Sequence, residues 1–223
     1  DSSHRRTTID YFDVCVNYCI DALDAPAPAS LMDLAKSDYK GSLVVQNPET
    51  SSPGLAFLLA TIAGTPDWEQ FWIELRANDV AVTSGWEEAY YGDFIAGGGE
   101  RPMVVSYASS PVAEVIYADP PVDSPPTGVL LDSCFRQIEF AGILSGSEHV
   151  AEAQLLIDFL LSPTFQNEIP MNMFMYPTAV TAQLPEEFIE HSLLTDSPLS
   201  LSPPEIEANR QQWTERWVEI VLG

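Results

Sequence analysis

An α/β fold is predicted by a unit that recurs three times along the chain: a short apolar strand, a turn rich in hydroxyls and glycine, then a helix. Residues 43–45 lead into Thr50-Ser51-Ser52-Pro53-Gly54, residues 80–82 into Thr83-Ser84-Gly85-Trp86, and residues 102–107 into Ala108-Ser109-Ser110-Pro111. Alternation of this kind sets strands between helices, and ligands of open α/β sheets bind at the strand carboxyl ends where such turns converge.

Residues 9–20 combine β-branched and aromatic side chains with partial alternation and read as the first strand. A Pro-Ala connector covers 24–30, and Ser30 caps a short helix through Ala35. After the strand at 43–46, Pro53 suits a first helical position and Gly54 admits close backbone approach, so a helix starts with unpaired N–H groups aimed beyond Ser51. That start suits an anion or polar ligand; an ordinary Ser N-cap with no ligand is the alternative. Residues 55–63 are almost wholly apolar, which marks a helix buried on most sides. Residues 67–76 follow as a helix, with Trp68, Phe71, Trp72 and Leu75 spaced as a core face. The second hydroxyl turn opens a helix over 86–94, which the run Gly97-Gly98-Gly99 ends.

The apolar strand at 102–107 is of parallel-sheet type, and a helix runs from its turn to about Ile116. A Pro-rich loop covers 120–127, after which residues 129–131 and 135–144 read as strands. An amphipathic helix spans 147–161, Pro163 starts a short one, and 171–177 is a Met-rich loop. Ser202-Pro203-Pro204-Glu205 opens a last helix to about Val221, with Glu205 placed as in a capping box. Its stripe of Ile206, Trp213, Trp217, Val218 and Val221 packs on a core.

The 223 residues, 46% hydrophobic, suffice for one sizeable core or two small lobes. Nine Lys and Arg against 33 Asp and Glu give a formal charge of −24, which repels phosphodiester backbones and excludes nucleic acid as a natural partner. No run approaches the ~18 apolar residues that read as a bilayer span. The polar start Asp1-Ser2-Ser3-His4-Arg5-Arg6 is not a signal peptide, and without an initiator Met the chain reads as a mature or excised segment. Cys15, Cys19 and Cys134 share no zinc-type spacing with His4, His149 or His191. One disulfide with one free thiol, or three reduced thiols, are both open. The glycine-rich, nucleophile and metalloprotease signatures are missing, which favours binding over catalysis and implies no cofactor.

Five blocks in matching order carry a resemblance. They are Thr50-Ser51-Ser52-Pro53-Gly54-Leu55, Thr83-Ser84-Gly85-Trp86-Glu87-Glu88-Ala89-Tyr90, Val105-Ser106-Tyr107 with Ser110-Pro111, Phe165-Gln166-Asn167 with Ile169-Pro170, and Met175-Tyr176-Pro177. Together with the Arg210-Gln211-Gln212-Trp213 helix, they make the chain resemble the carboxyl-terminal two thirds of substrate-binding proteins of thiamine ABC transporters. The resemblance implies a type II periplasmic-binding-protein fold with ligand held between two α/β lobes, one complete here and the other partial because its amino-terminal segment has no counterpart. On that template residues 1–19 are a polar start and first hinge crossover, 20–133 a second lobe, and 134–223 the return crossover with carboxyl-terminal helices of the first lobe.

Carried over position by position, the resemblance makes Trp86, Tyr107 and Phe174 aromatic cleft residues and Ser51 a polar contact. Flat pyrimidine and cationic thiazolium rings favour aromatic faces, the cation by about 0.5–2 kcal/mol. Ser51, Ser52 and Gly85 would receive a phosphate of a thiamine ester at the helix starts behind them. Phe174 stands where the family usually has Trp, and Ala113 where a further Tyr is typical. Crossovers running antiparallel would bring Cys19 and Cys134 together, so the resemblance implies a Cys19–Cys134 disulfide.

The implied role is an extracytoplasmic receptor, periplasmic or at the surface of a Gram-positive host, that hands thiamine or its phosphates to a membrane permease and is not an enzyme. The alternatives are a receptor for iron, a polyamine or a phosphonate, and a segment without tight ligand that pairs with its own copy through the surface the absent segment would cover.

Overall fold

The computed structural model describes residues 5–223, so His4 and the opening of the polar start lie outside the described residues. One mixed sheet carries β1 (Thr7–Cys19), β2 (Leu43–Gln46), β3 (Ala81–Thr83), β4 (Met103–Tyr107), β5 (Thr127–Ala141) and β6 (Tyr176–Pro177). The strand order is β3-β2-β4-β1-β5, with β6 also paired to β1. β2 is parallel to β3 and β4, as expected for strands joined through helices. β1 runs antiparallel to β4, β5 and β6.

The two strands expected at 129–131 and 135–144 form one long strand, β5, that bends instead of breaking. Its register on β1 jumps from Val14 opposite Phe135 to Val16 opposite Leu130. The hydroxyl of Ser133 spans the irregularity, accepting from the Val16 N–H at 2.8 Å and donating to the Leu130 carbonyl at 2.7 Å. These bonds replace ladder bonds that the bulge removes.

The same register overturns the Cys19–Cys134 pairing. Cys15 is bonded to Cys134, with Cα atoms 4.2 Å apart, and Cys19 is a free thiol. Cys19 sits opposite Thr127, seven residues along the strand from Cys134. Cys15, whose Cα is 4.2 Å from that of Cys134, lies four residues from Cys19 along β1, so at about 3.3 Å per residue Cys19 and Cys134 are on the order of 13 Å apart, beyond the ~7 Å that a disulfide spans. β1 and β5 do run antiparallel, but the bulge, not the strand end, brings two thiols face to face.

The helices are α1 (Ser52–Gly64), α2 (Trp68–Ala77), α3 (Trp86–Glu88), α4 (Ser110–Ile116), α5 (Val150–Leu160), α6 (Pro163–Gln166), α7 (Ile169–Met173), α8 (Glu186–His191) and α9 (Pro203–Val221). α3 is much shorter than the expected helix over 86–94. It widens into a π-turn over Ala89–Asp93, where the Phe94 N–H reaches the Ala89 carbonyl. The wider turn lets Ala89, Tyr90 and Phe94 all pack on Val44 and Val104 of the sheet. Ser147 does not start α5, because its hydroxyl accepts from His149 N instead. The Met-rich stretch is α7 followed by β6 rather than loop, and α8 carried no signal in the sequence reading.

The main core lies between the sheet, α1, α2 and α9. Trp72 meets Phe57 edge-on at 5.7 Å and Trp217 of α9 at 5.3 Å, and its indole N–H donates to the Thr61 hydroxyl at 2.9 Å. The carboxyl-terminal helix therefore packs into the core shared by α1 and α2.

Candidate functional site

The three hydroxyl turns stand at the carboxyl ends of β2, β3 and β4 and are tied into one rim. An added Cβ at Gly54 would lie 2.4 Å from the Gln46 carbonyl oxygen, so glycine is what allows α1 to start directly against the end of β2. Ser51 caps that start, its hydroxyl accepting from Gly54 N at 3.4 Å. The Thr50 hydroxyl donates to the Ser84 carbonyl at 2.6 Å, joining the first turn to the second. The Trp86 indole N–H then donates to the Ser106 hydroxyl at 2.8 Å, and Ser106 and Ser110 hydroxyls lie 2.8 Å apart, which joins the second turn to the third.

A cavity of about 470 Å³ opens beside the second and third turns, walled by Trp86, Tyr90, Tyr107, Tyr117 and Phe174 with Glu114 among them. Trp86 stacks on Tyr90 at 4.9 Å and lies 5.7 Å from Tyr107. Across the opening Tyr117 meets Phe174 at 5.9 Å. Phe174 holds a left-handed backbone, φ 54°, at the end of α7. Its carbonyl accepts a 2.5 Å bond from the Ser109 hydroxyl. Such a conformation costs a side-chain-bearing residue on the order of 1–2 kcal/mol, which a fixed contact at a site can offset.

Burial, then the neighbouring Glu114 carboxylate to which its hydroxyl donates, pushes the Tyr90 phenol well above its usual range. Burial, with a smaller contribution from Glu139, pushes Tyr107 up to about 12. Both rings thus stay neutral at physiological pH and present unionised π faces.

Of the residues singled out from sequence, Trp86, Tyr107 and Phe174 line the cavity. Ser51, Ser52 and Gly85 lie outside its lining, on the turns that form the rim. Ser52 is exposed and Ser51 half-buried. The Ser84 N–H and hydroxyl are both taken by Glu88 Oε2, at 3.0 and 2.8 Å, so that corner of the rim is already satisfied. A Cβ at Gly85 would touch nothing, so glycine is not required there for packing.

Sequence reasoning missed Tyr90, Glu114 and Tyr117. Tyr90 follows Trp86 by four positions and Tyr117 follows Ala113 by four, each about one turn beyond the recognised position. One-turn spacing was therefore the signal that could have found both. Glu114 offers none, being one carboxylate among 33 acidic residues. Among the described residues no group of three or more His, Cys, Asp and Glu could hold a metal ion, and no helix is long and apolar enough to cross a membrane.

Comparison with known proteins bears on this site. Residues 1–195 match the family model of bacterial extracellular solute-binding proteins. The chain is 35% identical over 196 residues to the thiamine-binding periplasmic protein of Escherichia coli (strain K12), a match covering 87% of this chain and 58% of that protein. It is 31% identical over 212 residues to the thiamine-binding periplasmic protein of Brucella suis biovar 1, covering 94% and 61%. Among solved structures it superposes on a periplasmic thiamin binding protein with TM-score 0.83 at 33% identity, covering 97% of this chain and 66% of that one. A Bordetella ferric binding protein, at 17% identity and TM-score 0.70 over 99% and 71% of the two chains, shows the shared fold alone. The chain spans about three fifths of the length of the curated relatives it matches.

Proposed function

The chain belongs to the bacterial extracellular solute-binding protein family, and from that premise we propose that it is the cargo-binding part of an extracytoplasmic receptor that passes thiamine or a thiamine phosphate to an ABC permease. The observation that carries the reading is the aromatic cavity beside the turns that follow β3 and β4, where Trp86 and Tyr107 lie 5.7 Å apart. Its volume of about 470 Å³ falls in the range of small-molecule sites. Neutral aromatic faces suit a flat pyrimidine and a permanent thiazolium cation. In this proposal residues 20–133 form one lobe, β1 and β5 are the crossovers, and cargo closes the cleft by hinge motion. Binding rather than catalysis is the role, in keeping with relatives that are named as binding proteins.

The rim serves the phosphate arm of the proposal less directly than the cavity serves the ring. Ser51 and Ser52 stand at the start of α1, the one rim helix of full length, whereas α3 has three residues and the Ser84 N–H just before it is engaged by Glu88. Iron is a weaker reading, since the cavity presents rings and hydroxyls with one carboxylate rather than a cluster of hard ligands. Calorimetry with thiamine, its mono- and diphosphate, spermidine and ferric ion tests this. Saturable binding of thiamine or its esters, weakened at least about tenfold in Trp86→Ala, is expected; tighter binding of spermidine or iron overturns the assignment.

A second reading, association with a copy of this chain, rests on the exposed Ile138 and Phe140 of β5 and Leu155, Leu156 and Phe159 of α5.

A further inference from the structure

Within the aromatic cavity the charge is negative and fixed. Of the described residues that line it, Glu114 is the charged one; the others are aromatic, aliphatic, sulfur-bearing, glycine or serine. The carboxylate is half-buried on α4, and the Tyr90 hydroxyl holds its Oε1. No described side chain takes Oε2. Tyr90 is itself clamped by Trp86 on one face and by Phe94 at 5.4 Å, and it is buried. The anchor of the carboxylate is therefore part of the sheet-backed core rather than a mobile surface group.

A carboxylate fixed between aromatic walls feels less solvent screening than one on the open surface, so its field on a bound ring is stronger. A cation set against it gains from the same faces that would hold a neutral ring and from the charge besides. A neutral ring of equal shape gains only the faces.

We propose that Glu114 is a specificity-determining residue of this cavity, contacting bound cargo through Oε2 and selecting positively charged aromatic or quaternary-ammonium ligands over neutral rings of the same shape. This rests on the reading of the cavity as the cargo site and adds to it which atom chooses the charge. Tyr90 is the positioning residue, since it acts on cargo through Glu114.

The test measures affinities of three probes for the purified chain and for Glu114→Gln. The probes are thiamine, its neutral fused oxidation product thiochrome, and benzyltrimethylammonium, a cation unrelated to the vitamin. The wild type is expected to favour thiamine over thiochrome by about tenfold or more, and Glu114→Gln to bring that ratio near one while leaving thiochrome affinity within about threefold. Retained thiochrome binding shows at the same time that the variant is folded. Tyr90→Phe keeps the charge and releases its anchor, so a smaller loss of preference is expected than in Glu114→Gln.

An unchanged ratio in Glu114→Gln overturns the inference, and so does equal loss of cation and neutral binding, which marks a structural role only. If thiamine does not bind but benzyltrimethylammonium binds with dependence on Glu114, the thiamine proposal fails and the inference stands. If no probe binds, both fail.

Discussion

Around β2, β3 and β4 large apolar side chains vanish from solvent, with Phe57 and Trp217 at 0% and Trp72 at 1% exposed, whereas at the other end of β1 and β5 Leu155 is 69% and Phe159 50% exposed. Both regions are rich in Leu, Ile and Phe, so composition does not separate them. What separates them is cover: α1, α2 and α9 close over the first region, while Ile138, Phe140, Leu155 and Phe159 stay exposed even with Arg6 over the Phe140 ring and Phe165 against Phe159. The candidate site lies in the covered half, where Trp86, Tyr90 and Tyr107 are backed by buried strands. The covered half thus presents preorganised rings; in the proposed function, β1 and β5 are the strands about which the cleft closes.

The junction between the halves is held by the Cys15–Cys134 bond and by Arg136, which grips the fully buried Asp13 through Nε at 2.8 Å and Nη2 at 2.9 Å. Breaking the covalent tie is expected to have the largest effect. The bridge closes a span of 119 residues, and on the chain-entropy model its loss costs about 4–5 kcal/mol. Denaturant unfolding of Cys15→Ser should show that drop, and Cys19→Ser should stay within about 0.5 kcal/mol of the wild type. The reverse result, a large loss in Cys19→Ser with Cys15→Ser near the wild type, would return the pairing to the one expected from sequence.

The next largest effect sets the two halves against each other directly. Trp72→Ala is expected to cost about 3–5 kcal/mol, because it opens a cavity among Phe57, Phe71 and Trp217. Phe159→Ala, whose ring packs only partly on Phe165, should cost under about 1 kcal/mol in the monomer. Light scattering on the same samples sharpens the comparison. If the open face pairs with a second copy, Phe159→Ala weakens a dimer and leaves the unfolding of the covered half unchanged. A wild-type monomer removes the self-association reading.

Much of the covered half was legible in the sequence because there local signals and tertiary demands agree. Ser51 before Pro53 and Gly54 marked a helix start that the Gln46 carbonyl makes obligatory for glycine, and the 68–75 spacing marked a face that is in fact buried. That Trp86, Tyr107 and Phe174 face one cavity was legible through the family resemblance, not through periodicity. Illegible were features set by distant strands: the bulge that seats Cys134 opposite Cys15, the π-turn that seats Tyr90, and the fall of Glu114 beside it. Each depends on register between segments far apart in the chain, which no local window contains.

The smallest expected effect tests whether the open half also carries an electrostatic cost. Asp10 of β1 is 2% exposed, faces Glu139 across β5, and its Oδ1 has no hydrogen-bond partner among the described residues. Burial, then the nearby Glu139, raises its carboxyl to about 6. An acid whose folded pKa exceeds its unfolded value of about 4 binds more protons when folded, so its contribution favours the folded state at low pH and fades as pH rises through 4 to 6. Asp10→Asn should therefore be more stable than the wild type by on the order of 2 kcal/mol at pH 8, with the gap closing near pH 4. Unfolding curves from pH 4 to 8 check this, and parallel profiles for the two proteins would mean that Asp10 ionises in the fold without penalty. Trp72→Ala, which removes no ionisable group, should shift its profile by a constant amount over the same range, so a pH-dependent gap confined to Asp10→Asn would place the cost at the open end of the sheet.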